Sequence, residues 1–447
     1  MKDLTQGPIF RHLFAMAAPI AIGMLLQVMY YLVDLYFVAK LGGPALAGVS
    51  AAGNVWFVVF ALTQIVGVGT VALMSHAVGR KDQTDANHVF NQSVLLSVIC
   101  AAVTLIGGYG LTGAFMRTLG ADAATNAEGI VYLYWFIPGL GLQFALVVMG
   151  SALRGTGIVK PTMVVQMLTI LLNIVLAPVL IAGWGTGYAM GVAGAGLASS
   201  LSIAVGVLLM SVYFFRLEHY VGFDTSQWLP KPATWGRILN IGLPAGGEFF
   251  LMFLYNTMLY WIIRDFGASA QAGFGIGGRV MQGAFMPVMA IALAAAPIGG
   301  QNFGAKNAGR VRETFRDAVI ACSAIMFVFT LVCQWRGEFF IRFFSSDPQI
   351  VAVGAEFLHF ISWNFVAMGI VFTCSSMFQA LGNTWPSLMS TGLRVVTFAG
   401  PAVWLSLQPG FKLVEVWYLS VASVALQAVV SLLLLRWQMR KRLQFAA

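Results

Sequence analysis

In the stretch QVMYYLVDLYFVAKLGG, residues 27–43, Asp34 stands within a run of residues apolar and long enough to cross a bilayer. Of 16 acidic residues, only Asp34 and Glu248 lie well inside apolar segments, and Glu356 lies near the start of another. An unpaired carboxylate in hydrocarbon is costly, so such an acid either handles an ion or proton or is tied permanently between helices. At helical spacing Gln27, Tyr30, Tyr31, Asp34 and Val38 share one face, and that polar stripe is expected to face a cavity. Asp34 is about six residues, roughly 9 Å of helix, inward from Lys40, which marks the outer end.

Glu248 follows Pro244 by four residues in GLPAGGEFFLMFLYN and is either a second protonatable site or a group facing water. Two basic residues also fall inside apolar segments, Arg279 and Arg394, and each needs a counter-charge, a carbonyl or water. The surrounding second half is rich in Phe, Tyr, Trp and Met. Thioethers and aromatic faces suit planar, apolar cations of varied shape, which makes Met252, Tyr255, Met281 and Phe285 candidate cavity residues.

Signals for other chemistry are absent. GGQNFGAK, 299–306, lacks the GK[ST] ending of a phosphate loop and matches HAVGRK, 76–81, as a helix-ending turn. The five histidines show no metal-ligand spacing. The four cysteines lie in apolar segments without CxxC spacing, so they read as packing residues. No metal, cofactor or nucleic-acid partner is expected.

These residues must be positioned by membrane helices. The chain is 59% hydrophobic and 9% charged, with a mean hydropathy of +0.84, far from a soluble globular composition. About 20 apolar residues make a helical span, and the sequence offers twelve: roughly 13–39, 47–76, 89–112, 129–153, 161–183, 190–215, 237–263, 269–299, 314–334, 352–380, 386–407 and 413–436. The opening MKDLTQGPIFRH lacks the pattern of a cleaved signal peptide, so the first span is expected to remain as an anchor. The net charge of +9 is topological in origin. Of 25 Lys and Arg residues, Arg279 and Arg394 fall inside spans, Lys40, Arg117, Arg264, Arg336, Arg342 and Lys412 lie on one side, and the other 17 lie on the opposite side. That bias predicts both termini in the cytoplasm, and the basic tail RWQMRKRLQFAA is expected to meet anionic lipid.

A shift of 225 residues lays the first half on the second without a gap for over seventy residues. Pro19 meets Pro244, Tyr30 meets Tyr255, Gly42 meets Gly267, Gly79 meets Gly304 and Lys81 meets Lys306. Six spans per half imply parallel repeats about an axis along the membrane normal, with substrate between them. The join is the polar stretch 216–237, giving lobes 1–220 and 221–447. Pro19, Pro138, Pro178, Pro244, Pro287 and Pro297 lie inside spans, where they either kink helices for packing or serve as hinges.

The chain resembles the multidrug and toxic compound extrusion transporters, particularly their bacterial DinF-like branch. The likeness runs through Pro19 with VDLYFVAKLGGPALAG (33–48), ALRGTGIVKP (152–161), LLNIVLAPVLI (171–181), GVAGAGLASS (191–200), GLP (242–244) and FQALGNTWPS (378–387). The resemblance implies an all-α membrane protein with two pseudo-symmetric six-helix lobes in a V, exporting cationic or amphipathic drugs in exchange for protons or sodium. It also implies a coupling role for Asp34, with Asn173 and Ser199 in the same polar network. Where the family usually carries an Asp before Pro178 this chain has Ala177, which favours protons over sodium. Glu248 also departs from the resemblance, since in several branches of the family a seventh-span Glu lies about one turn further from the Pro.

The resulting expectation is a proton-coupled antiporter, acting as a monomer in a bacterial plasma membrane, with Asp34 and drug in competition and the first span bending near Pro19 or Gly23. Two other readings from the same sequence are sodium coupling and a flippase for lipid-linked sugars, the latter wanting more intramembrane cations than Arg279 and Arg394. A polytopic lipid-modifying enzyme is a further class, disfavoured by the missing acidic and histidine clusters.

Overall fold

The computed structural model describes residues 1–119 and 122–445, apart from the side chains of Tyr31 and Leu119. The Tyr31 side chain assigned above to the polar face therefore lies outside the described residues. The described chain folds as fourteen α-helices with two short 3-10 turns and no strand. Among the described residues eleven helical segments are long and apolar enough to span a bilayer, and a bent pair brings the number to twelve when counted as one span. The protein is a multi-pass membrane protein.

The chain divides into two compact units, one holding residues 1–3 and 22–242, the other 4–21 and 243–447. The division falls within helix α1 (Ile9–Ala39), shortly after Pro19, and within α8 (Pro232–Ile263), just before Pro244. The repeat-based division at 220/221 follows the polar join, whereas packing groups that join and the start of α8 with the first unit.

In the first unit α2 (Gly43–Ala52), α3 (Asn54–Gly79), α4 (Gln83–Leu119) and α7 (Val192–Arg216) pack on α5 (Ala123–Gly155), while α6 (Lys160–Ala182) packs on α7. With lipid as solvent, such helices associate by close packing of small residues rather than by hydrophobicity. Gly48 is one such contact: a Cβ there would stand 2.7 Å from the Thr125 carbonyl oxygen and 2.8 Å from the Gly129 nitrogen. Inside α5, Pro138 removes the donor for the Tyr134 carbonyl, which accepts instead from the Tyr109 hydroxyl at 3.0 Å. One residue on, the Ser200 hydroxyl inserts into the ladder, accepting from the Gly139 N–H at 3.0 Å and donating to the Trp135 carbonyl at 2.6 Å. The proline thus leaves no orphan carbonyl in the span.

The second unit contains the rest of α8, α9 (Ala268–Gly304), α10 (Ala308–Arg342), α11 (Pro348–Ile361), α12 (Asn364–Ala380), α13 (Trp385–Ser406) and α14 (Leu413–Arg442). The sequence reads 352–380 as one uninterrupted span, but α11 and α12 meet at 57°. Two α10 side chains occupy the break: Thr330 donates to the Ser362 carbonyl at 2.8 Å, and Gln334 donates to the His359 carbonyl at 2.6 Å and the Ser362 hydroxyl at 2.8 Å. Neighbouring side chains thus take the carbonyls that a continuous helix would use.

The repeat is visible in single hydrogen bonds. Lys81 and Lys306 both adopt φ 59° after a helix end, a left-handed conformation uncommon outside glycine. The following N–H groups close the same turn, Asp82 to the Ala77 carbonyl and Asn307 to the Asn302 carbonyl, each at 2.9 Å. Asp82 and Asn307 then accept from backbone N–H groups at the start of the next helix, those of Asp85 at 2.9 Å and Arg310 at 3.3 Å. HAVGRK and GGQNFGAK are accordingly helix-ending turns.

The join between the repeats is strapped along α4. Gln83 donates to the Tyr220 carbonyl at 2.9 Å, Asn87 accepts from the Gly222 N–H at 2.9 Å, and Asn91 accepts from the Asp224 N–H at 2.9 Å and the Trp228 indole at 3.1 Å. Gln92 donates to the carbonyls of Gln227 at 2.6 Å and Leu229 at 2.9 Å and accepts from the Lys231 N–H at 3.0 Å. These residues recur at helical spacing, so one face of α4 grips a segment that has only a 3-10 turn, Thr225–Gln227, of its own. The Ser226 hydroxyl and N–H both donate to Asp224 and hold its carboxyl below the usual carboxylate range.

Candidate ion site

The first unit gathers Asp34 from α1, Asn173 from α6 and Ser199 from α7. The Ser199 hydroxyl donates to Asp34 Oδ2 at 3.0 Å. Asp34 Oδ1 is closed off from solvent and has no hydrogen-bond partner among the described residues. Tyr30, one turn earlier on α1, holds its buried hydroxyl within electrostatic reach of the carboxyl and beside Ser199, without a hydrogen bond of good geometry among the described residues. Asn173 is fully buried beside the carboxyl, yet neither its amide nitrogen nor its oxygen finds a partner of good geometry. Buried polar atoms in folded chains are nearly always paired. Four such atoms gather in one cluster, at Asp34, Tyr30 and Asn173.

No cationic side chain pairs with Asp34 among the described residues. Ala177 lies fully buried one turn from Asn173 on α6, so the face adjoining the cluster carries a methyl group in place of a second acid. Gln27 is half-buried on the same helix as Asp34 and forms no hydrogen bond among the described residues, so the cluster does not extend to it. Asn173 and Ser199, the residues beside Asp34, are those the resemblance implies; spacing alone does not connect residues 139 and 165 positions from Asp34.

In the second unit the candidates separate. Glu248 is enclosed by hydroxyls: Ser387 donates to its Oε2 at 2.9 Å, Ser375 to the same oxygen at 3.3 Å, and Thr391 to its Oε1 at 3.3 Å. Arg279 is exposed on α9 and forms no ion pair among the described residues. Tyr255 is 4% exposed and hydrogen-bonded through its hydroxyl to Ser420 at 2.9 Å, and its ring receives the Arg394 guanidinium at 4.4 Å. Met252 is half-buried with its sulfur 3.9 Å from Arg394. Phe285 is buried edge-on to Phe365 and Phe372, inside the packed aromatic core, and Met281 is half-buried one turn before it. Sequence reasoning missed Ser375, Ser387, Thr391 and Gln427. The available signal was Ser387, Thr391 and Arg394 at i, i+4 and i+7, a polar stripe on α13.

Comparison with known proteins agrees with this architecture. A multidrug export protein MepA of Staphylococcus haemolyticus is 25% identical over 393 residues, covering 86% of this chain and 85% of that protein. A MATE transporter crystallised in a bent conformation superposes with a TM-score of 0.92 at 25% identity, covering 98% and 97% of the two chains. An outward-facing multidrug resistance MATE family transporter of the MOP superfamily matches with a TM-score of 0.91 at 25% identity over 99% and 98% of the two chains. A MOP superfamily transporter from Pyrococcus furiosus, described as having a binding pocket of reversed polarity, shares the fold at 24% identity with a TM-score of 0.90 over 99% and 98% of the chains. The MatE family model matches twice, at residues 19–179 and 244–404, so its two copies begin 225 residues apart, the offset read from the sequence. The chain therefore belongs to the MatE family of membrane transporters.

Proposed function

We propose that this protein exports cationic or amphipathic drugs in exchange for protons, with Asp34 as the coupling carboxyl. The observation that carries the reading is the Asp34 cluster, an intramembrane acid with one oxygen unpaired, no cationic partner among the described residues, and an unpaired hydroxyl and amide beside it. Such a carboxyl exchanges its occupant, because no fixed charge neutralises it. A proton arriving from outside discharges the site and releases the drug cation. Loss of that proton to the cytoplasm restores the charge for the next cycle.

Sodium coupling is the second reading, favoured by one feature: Asp34, Asn173, Ser199 and Tyr30 all present oxygen, the donor of hard cations. Ala177 weighs against it, since one carboxylate with neutral oxygens is a weak sodium cage.

The test is ethidium efflux from proteoliposomes under an imposed pH or sodium gradient, with wild type and Asp34→Asn side by side. Efflux driven by protons and lost in the variant is the expected result. Sodium-driven efflux lost in the variant would select the second reading, and full gradient-driven efflux by Asp34→Asn would overturn both.

A further inference from the structure

The second unit holds its acid in a different way, and this difference defines a role for Arg394. Arg394 is 6% exposed, and no carboxylate among the described residues comes within ion-pair distance of it. Its Nη1 donates weakly to Met368 Sδ at 3.4 Å and to Gln427 Oε1 at 3.5 Å, and its plane lies on the Tyr255 ring at 4.4 Å. An arginine cannot discharge itself by losing a proton, so a buried one requires compensation.

Compensation runs through two neutral side chains. Gln427 spends its amide hydrogen on Thr391 Oγ1 at 3.1 Å, and Thr391 spends its hydroxyl hydrogen on Glu248 Oε1 at 3.3 Å. Every donor in the path from Arg394 to Gln427 to Thr391 to Glu248 points toward the acid. The two helices are matched for this purpose: Glu248, Met252 and Tyr255 on α8 and Ser387, Thr391 and Arg394 on α13 both fall at i, i+4 and i+7. The groups reaching Glu248 are Ser375 from α12, Ser387 and Thr391 from α13, and, through Thr391, Gln427 from α14. Arg394 is the one charged group this network reaches among the described residues, and the remaining titratable group, Tyr255, is engaged by Ser420.

We propose that Arg394 is the built-in counter-cation of Glu248, bridged by Thr391 and Gln427, so that this buried network balances its own charge and Glu248 exchanges no ion during transport. Arg394 is thus a positioning residue that acts through the bridge. Its counterpart is Asp34, which has a hydroxyl donor but no such cation. This goes beyond the Asp34 reading and does not depend on it.

The experiment compares Glu248→Gln, Arg394→Met and the double variant, using the purified full chain in detergent for heat survival and proteoliposomes for the pH profile of efflux. Each single variant strands one buried charge and is expected to lower the folded fraction after a fixed heat step, by a few-fold to about a hundredfold. The double variant removes both charges and recovers most of that loss. In the transport assay Arg394→Met displaces the pH profile, because Glu248 then takes a cation from solution, while the double variant returns to the wild-type profile. Arg394→Lys keeps the charge and the profile, which separates the electrostatic role from loss of packing. Losses that simply add in the double variant would overturn the proposal. So would silent single variants, or loss of coupling in Glu248→Gln with none in Arg394→Met. Heat survival is read without transport, so its outcome stands apart from the drug-export reading.

Discussion

Replacing Gln92 by alanine should open the join between the two repeats without unfolding the helices it crosses. Gln92 is fully buried and serves three backbone groups, the carbonyls of Gln227 and Leu229 and the N–H of Lys231. At about 1 kcal/mol net per hydrogen bond, the loss is about 3 kcal/mol, which corresponds to roughly a 150-fold increase in the population of the opened segment. The loss is local, because the groups left unpaired find water once the segment lifts. Amide hydrogen exchange of residues 217–231 reads it directly, with the membrane-buried part of α5 as the internal reference. Gln92→Glu is a sharper form of the same test, since it keeps the acceptor for Lys231 but sets a carboxylate against two carbonyls, and it should exchange at least as fast as the alanine variant. The competing anchor is apolar: Phe223 packs against Phe90, Phe214 and Phe215 with ring centroids 5.3, 5.8 and 5.0 Å apart. If the alanine variant changes exchange by less than about threefold, the rings hold the segment and the amide ladder only sets its register.

Two further outcomes follow from the same unit. Gly242→Ala would drive a methyl group into the Ile65 carbonyl oxygen, a contact with backbone that no rotamer relieves; it should cost more than the ~1–3 kcal/mol typical of overpacking and appear as a lower yield of monodisperse protein. The Asp224 carboxyl is held below its ordinary value by Ser226, so its contribution is fully present above the unfolded value of about 4 and is lost as pH falls through the depressed folded value. Exchange of residues 217–231, corrected for intrinsic rate, should stay level from neutral pH down to about pH 4 and rise below it, and Asp224→Asn should remove that rise.

How much of this was legible in the sequence depends on the range over which each feature is determined. A span needs only its own twenty or so residues, and the spans were readable. The repeat needs only a constant offset, and the MatE matches at 19–179 and 244–404 carry the same one. The break between α11 and α12 was not readable, because the residues at the join, Ser362, Trp363 and Asn364, include neither proline nor glycine. What makes the break tolerable is Thr330 and Gln334, some thirty residues away on another helix. The packing division inside α1 and α8 falls beside Pro19 and Pro244, but a proline marks where a helix can bend and not which neighbours each part touches.

The two intramembrane arginines show where composition stops being informative. Both stood in the sequence as cations in need of a partner, and the one sign setting them apart was the stripe of Ser387, Thr391 and Arg394 at helical spacing. The fold leaves Arg279 exposed and buries Arg394 against Tyr255, Met368 and Gln427. A similar divergence separates the two acids: Asp34 keeps an unpaired oxygen, whereas three hydroxyls serve Glu248. Serines and threonines are common in membrane helices, so no count of residue types predicts which acid is enclosed. The difference bears on the exchange proposed for Asp34, because an acid enclosed by three hydroxyls gains less from a further occupant than one with an oxygen left unpaired and no fixed cation. The repeat duplicated the scaffold, down to the lysine turns at 81 and 306, but not the chemistry. That asymmetry is what the exchange proposed for Asp34 alone requires.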